Sequence, residues 1–212
     1  MTRRSAYPGL TELDRRDLLK LGGAAALAVL APSWSKSVAS AAFALGAKGT
    51  IVLADPRYSD SLVFARSLER EGATLLPLAS DLAALWFDAI EPRLKARVRA
   101  LAGLTLQSDL FVLERLAESS GAVTRYVGCH DWRCRTGSAH RLSGSIELDG
   151  IAQALVSGEG HWAEALGAAL VSTAGATKRD EGRQEAVSME LDHAAASDSP
   201  RFFVSWLMTW SI

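Results

Sequence analysis

Gly49-Thr50-Ile51-Val52-Leu53-Ala54, running into Asp55-Pro56-Arg57-Tyr58-Ser59-Asp60, is the stretch from which the fold is read. Its first half is a short apolar run rich in β-branched residues and bounded by turn formers, which predicts a buried strand. Asp55-Pro56-Arg57-Tyr58 is the turn. Ser59 is placed to cap a helix, since its hydroxyl can accept from the free amides of the first turn. Asp60 suits the positive end of that helix. The helix is predicted to run to about Glu71, with Gly72 ending it as a left-handed residue.

The same grammar returns twice. Ala73–Leu78 reads as a strand, and Ser80-Asp81 opens a helix through Ala84, Leu85, Phe87 and Ile90, with Pro92 beginning a further helical turn. Arg97–Thr105 contains a third strand, and Ser108-Asp109 opens a helix with Leu110, Leu113, Leu116 and Ala117 inward, ended by Gly121. Val123–Val127 is a fourth strand. Repeated strand–turn–Ser-Asp–helix units predict βαβ crossovers and a parallel sheet. The fold class expected is α/β: an open three-layer sandwich with a mostly parallel sheet of four to six strands. Residues 42–212 are expected to form one such domain.

Beyond Cys134 the pattern is weaker. Arg141–Leu148 reads as a strand, and Ile151–Val156 and Trp162–Ser172 as helices. Thr173–Ser199, rich in Ala, Gly, Ser and charge, reads as a partly mobile connection with a short strand near Val187–Leu191. Arg201–Trp210 is too apolar for a tail and is read as a last strand closing the sheet. The first unit is similar to one half of uroporphyrinogen-III synthase in its Asp-Pro-Arg turn, amphipathic helix, Gly-Ala and Leu-Pro-Leu ending. That pattern is common to many open α/β folds, so no activity is carried over.

The N-terminus carries an address. Asp14-Arg15-Arg16-Asp17-Leu18-Leu19-Lys20 precedes the Gly/Ala-rich run Leu21–Ala31, Pro32 ends the run, and Ala39-Ser40-Ala41 follows. This resembles the twin-arginine export signal, with Asp14 where Ser or Thr is usual. Arg15 and Arg16 would be read by the translocase, and cleavage after Ala41 would follow. The apolar run is shorter than the roughly 20 residues a spanning helix needs. The resemblance therefore implies a signal helix over residues 1–41, the twin-arginine translocase as a partner during export, and a periplasmic or extracellular destination. A retained N-terminal anchor is the alternative.

Composition excludes some classes. The chain has 212 residues, a formal net charge of −1 and no basic cluster after the leader, which argues against a nucleic-acid partner. No later segment approaches the length of a membrane span, so no membrane association is expected after cleavage. Gly-x-Gly-x-x-Gly, Walker, Gly-x-Ser-x-Gly and His-Glu-x-x-His patterns are all missing.

In open parallel sheets, ligands bind outside the carboxyl ends of the strands. Asp55, Arg57, Thr105, Ser108 and Arg133 are therefore the expected ligand-binding residues, and helix N-termini and arginines there favour an anionic group. Gly128–Arg135 (Gly-Cys-His-Asp-Trp-Arg-Cys-Arg) is the densest segment. With His140 it gathers both cysteines and two of the four histidines. Three readings of it stand side by side: a Cys129–Cys134 disulfide, a metal or cofactor site of Cys129, His130, Cys134 and His140, or ordinary packing. His130 and Asp131 are the candidate catalytic pair, provided the loop bends them together. The function expected is an exported ligand-binding or accessory module, for a small anionic ligand or a periplasmic oxidoreductase partner. The alternative is a metal- or thiol-assisted hydrolase or oxidoreductase using Cys129, His130, Asp131 and Cys134. No cofactor is identified.

Overall fold

The structure, a computed structural model, describes residues 48–96, 98–134, 137–158, 160–174, 185–192 and 196–210. Arg15, Arg16 and the cleavage after Ala41 lie outside the described residues, as do the side chains of Arg133 and Cys134. Among the described residues no helix is long and apolar enough to cross a membrane.

The elements run in the order β1 (Thr50–Ala54), α1 (Ser59–Arg70), β2 (Thr74–Pro77), α2 (Leu82–Ala84), a π-helical turn (Leu85–Ile90), α3 (Glu91–Ala96), β3 (Ala100–Thr105), α4 (Gln107–Glu118), β4 (Ala122–Cys134), β5 (Gly137–Gly144), α5 (Asp149–Ser157), α6 (Trp162–Ala174), β6 (Glu185–Leu191) and β7 (Phe202–Trp210). The strands form one sheet in the order β2-β1-β3-β7-β4-β5-β6. β1 pairs in parallel with β2 and β3. Every other pairing is antiparallel.

The expected mostly parallel sheet is therefore corrected to a seven-stranded mixed one, parallel only at β2-β1-β3. Two features cause this. β4 and β5 are joined across residues 135–136, too short a link for a parallel crossover, which needs a dozen residues or more. The last strand, β7, lies in the middle of the sheet, between β3 and β4. β3 and β4 still point the same way, as a βαβ unit requires, because two antiparallel steps through β7 restore the direction.

Helices pack on both faces. On the first face α1, α5 and α6 bring Phe64, Leu68, Ile151, Leu155, Trp162, Leu166 and Leu170 against Val52, Ala54, Ala102, Leu104, Tyr126, Phe203 and Leu207. On the second, the π turn and α4 bring Trp86, Ile90, Leu110, Leu113 and Ala117 against Ile51, Leu53, Leu101, Val204, Trp206 and Met208. The second-face core takes nothing from β5 or β6. Among the described residues, nothing gives that half of the sheet face the apolar cover its neighbours have.

None of the three expected serine caps forms. α1 is preceded by Tyr58 and α4 by Leu106, neither with a side-chain cap, and α2 is capped by Asp81, which accepts from Ala84 N at 2.9 Å. Ser59 and Ser108 lie inside their helices. Within Thr173–Ser199, α6 continues to Ala174, β6 extends the sheet edge, and residues 196–199 are tied to α1.

Candidate functional site

Of the strand ends expected to share an edge, those of β1 and β3 do so. They finish at one level; Thr105 pairs with Val204, which pairs with Cys129, and β4 runs on from there to Cys134. The side chains at that edge do not form one depression, however. Asp55 is fully buried and binds Arg57 through both oxygens, at 2.9 Å to Nε and 2.7 Å to Nη2, while Arg57 N donates to Oδ1 at 3.0 Å. That pairing raises the Arg57 pKa further and uses the guanidinium inside the turn. Asp109 stands 3.7 Å from Arg57, and burial pushes its carboxyl pKa up while the Arg57 charge pulls it down. Thr105 Oγ1 accepts from Trp206 Nε1 at 3.0 Å and belongs to the second-face core. Ser108 is exposed in the first turn of α4.

The α1 N-terminus, expected to attract an anion, already holds one. Asp198 Oδ2 accepts from Ser59 N at 2.8 Å and from the Ser59 hydroxyl, and these bonds hold its carboxyl below the usual range. Asp60 Oδ2 in turn accepts from Ala196 N at 3.1 Å and from Ser199 Oγ. The 196–199 segment thus fastens to the helix start through two carboxylates.

Gly128–Cys134 is not a loop. It is the second half of β4, paired to β5 and β7. Alternation along an extended strand then decides the chemistry. His130, with Tyr126 before it and Trp132 after, faces the helices of the first face. Cys129 and Asp131 line the opposite face. The candidate pair His130-Asp131 is therefore split by the sheet. The weak metal set is split likewise, and among the described residues no group of three or more His, Cys, Asp or Glu is placed to hold a metal ion. Cys129 is a free thiol, which corrects the disulfide expectation. Five residues of extended strand separate the two cysteines by roughly 16 Å, where a disulfide needs Cα atoms within about 7 Å. Asp131 approaches Arg201 Nε at 4.0 Å.

His130 and His140 are direct cross-strand partners, and their Nδ1 atoms lie 2.7 Å apart. His130 Nε2 is 2.8 Å from Ser205 Oγ, which is 3.0 Å from the Tyr126 hydroxyl. His140 Nε2 is 2.7 Å from Ser138 Oγ, and Ser138 Oγ donates to the Leu191 carbonyl at 3.2 Å. Taking the last bond as fixed assigns one proton order. Ser138 spends its hydrogen on Leu191 O, so it accepts from His140 Nε2–H. Neutral His140 then presents a bare Nδ1, which accepts from His130 Nδ1–H. His130 Nε2 is bare in turn and accepts from the Ser205 hydroxyl, which accepts from Tyr126. Burial and the neighbouring His140 lower the His130 pKa well below its ordinary value, which agrees with a neutral ring.

Ser205, His130 and His140 stand in the order of nucleophile, base and orienting group. Ser205 and His130 are fully buried, under Trp132, Trp162 and Phe203. Gly128 gives Ser205 its room, since a Cβ there would stand 2.5 Å from Ser205 Oγ and against the Tyr126 hydroxyl. A substrate carbonyl has no such room, so the chain of bonds is structural.

The same strands also form a groove of about 490 Å³, lined among others by Cys129, Asp131, His140, Arg141, Glu190 and Phe202. Burial raises the Cys129 pKa and Arg141 offsets part of that. The thiol is thus not activated as a thiolate. Ser205, Tyr126, Ser138, Arg141, Glu190 and Phe202 were not singled out in the sequence. The usable signal was period-two alternation across 126–132 and 138–142, hidden by polar residues that look like a loop. Comparison with known protein families, curated proteins and solved structures finds no match.

Proposed function

We propose that this chain is an exported binding module whose site is the groove on the second face of β4, β5 and β6. The observation that carries the reading is the groove itself: about 490 Å³, with one wall offering the Arg141 guanidinium and another the half-exposed ring of Phe202. Small-molecule sites commonly enclose some 300–1,000 Å³ and set a few polar groups against apolar surface. Arg141 presents a fork of N–H donors that suits a carboxylate or phosphate. Asp131 and Glu190 sit near enough to reject a ligand that is anionic throughout. A small ligand with one anionic end and an apolar body fits best. Binding is favoured over catalysis because the groove thiol has a raised pKa and both imidazoles are buried and bonded to each other.

A thermal-shift panel of small mono- and dicarboxylates and phosphate esters tests this. A binding member at about 100 times its Kd should stabilise the protein by about 2.7 kcal/mol, and Arg141→Gln should abolish the shift. A panel without effect, or a shift retained in the variant, counts against the groove. The export half of the proposal rests on the twin-arginine pattern. Replacing Arg15 and Arg16 together by Lys keeps the charge but removes the guanidinium geometry. The variant should stay in the cytoplasm, folded and unprocessed, and normal export would overturn the reading.

A further inference from the structure

The histidine pair is built into the same piece of sheet as the groove, and His140 is itself among the residues that line it. His130 pairs directly with His140, and the flanking pairs on the same two strands are Cys129 with Arg141 and Asp131 with Ala139, which line the groove. The bond chain continues to Ser205 on β7 and to the Leu191 carbonyl on β6. It crosses every strand that contributes to the groove. We propose that the His130–His140 pair is an acid-released latch that holds the groove in shape when both rings are neutral and loosens it when either takes a proton. This inference rests on the binding reading and assigns its regulation.

The neutral pair is fully bonded, and a proton on either ring disturbs that arrangement and places a charge in the buried layer. A proton on His140 Nδ1 would set two N–H groups against each other across 2.7 Å. A proton on His130 Nε2 would force Ser205 to turn its own hydrogen to the Gly128 carbonyl, 3.5 Å away, and would leave a cation beneath Trp132, Trp162 and Phe203. Such a buried charge is costly without a partner. Among the described residues, the titratable groups around the pair are few. Tyr126, on β4, is kept neutral by burial. On α6, above the pair, Glu164 is engaged by Arg70, and His161 is exposed just before the helix. β7 faces the pair with Ser205 and Phe203, and β5 with Ser138 and Leu142. Cys129, Asp131, Arg141 and Glu190 lie on the groove face.

The direction in pH follows. An opened pair takes its proton near the ordinary histidine pKa of about 6.5, and the closed pair only at lower pH, as burial dictates. The latch is fully closed above about pH 6.5 and is lost as the pH falls towards the depressed value, with opening favoured about tenfold per pH unit for each proton taken up.

Cys129 reports on the groove without any ligand. In a Cys134→Ser chain, its modification by 4,4′-dithiodipyridine, which reacts in acid, is measured from about pH 7.5 to 4.5, a span that brackets the histidine range. The rate per thiolate should climb on the acid side, by up to about tenfold per pH unit, while far-UV circular dichroism stays constant. In His140→Gln, the amide oxygen accepts from His130 and the amide nitrogen donates to Ser138, so the climb should be reduced. In the double variant His130→Gln/His140→Gln it should vanish. A flat rate with the histidines in place overturns the latch whatever the variants do, and so does an undiminished climb in a folded double variant. A pH step with no ligand found in the panel defeats the binding reading alone. Ligand binding without a pH step defeats the latch alone.

Discussion

Asp81, not Ser80, closes the first turn of α2, and the difference is one of register that a Ser-Asp pair leaves open. Either side chain can accept from a helix N-terminus. Which one does depends on where the strand before it stops, and that is set by pairing with β1 far away in sequence. The general signal was legible at all three helices, while the identity of the cap was not. Replacing Asp81 by Ala should cost roughly 0.5–2 kcal/mol, and Ser80→Ala should stay within about 0.5 kcal/mol. Urea unfolding of the two variants checks this, and an equal loss in both would mean that Ser80 shares the cap. Gly128 has the same lesson. It was read only as the start of the Cys- and His-bearing segment, whereas Tyr126 and Ser205 leave no space there for a Cβ.

At the scale of elements, β1, α1, β2, β3 and α4 were legible because each is a clean apolar period ended by Gly or a turn. β4 was not, beyond its first half. Its register against β7 shifts between Thr124 and Tyr126. Before that irregularity Ala122 packs towards the second-face core. After it the even-numbered Tyr126, with Gly128, His130 and Trp132 in step, packs towards the first, and Val127 towards the second. A bulge that adds one residue exchanges the faces of everything after it. No single alternation therefore spans the strand, and the remaining polar residues resemble a loop. The same exchange decides the site. It sends His130 inward to meet His140 and Ser205 and leaves Cys129 and Asp131 on the groove side. Arg57, expected at a shared depression, is instead consumed by Asp55 in the turn after β1.

For the whole molecule the decisive fact is where the last strand goes. A C-terminal apolar run reads as a strand from its composition, but nothing local says whether it lies at an edge or in the centre. Its burial does. Phe203, Val204, Trp206, Leu207 and Met208 are at most 2% exposed, on alternating faces, so β7 is covered on both sides. It also joins β3 to β4, which have no direct pairing in the strand order. Burying a large apolar side chain contributes roughly 1.5–3 kcal/mol. Five of them contribute about 10 kcal/mol, comparable with the whole stability of an ordinary domain, about 5–15 kcal/mol. Removing residues 202–212 should therefore do more than trim an edge. It divides the sheet into β2-β1-β3 and β4-β5-β6, uncovers apolar strand edges on both halves and removes Ser205 from the histidine chain. The truncated chain should lose its near-ultraviolet circular dichroism and its cooperative thermal transition. By contrast, stopping after Met208 keeps every pair from Phe202 to Met208 and should leave a cooperative transition at lower temperature. A cooperative transition in the chain ending at Arg201 would show that β7 is dispensable, and the central placement that joins the two halves would fall with it.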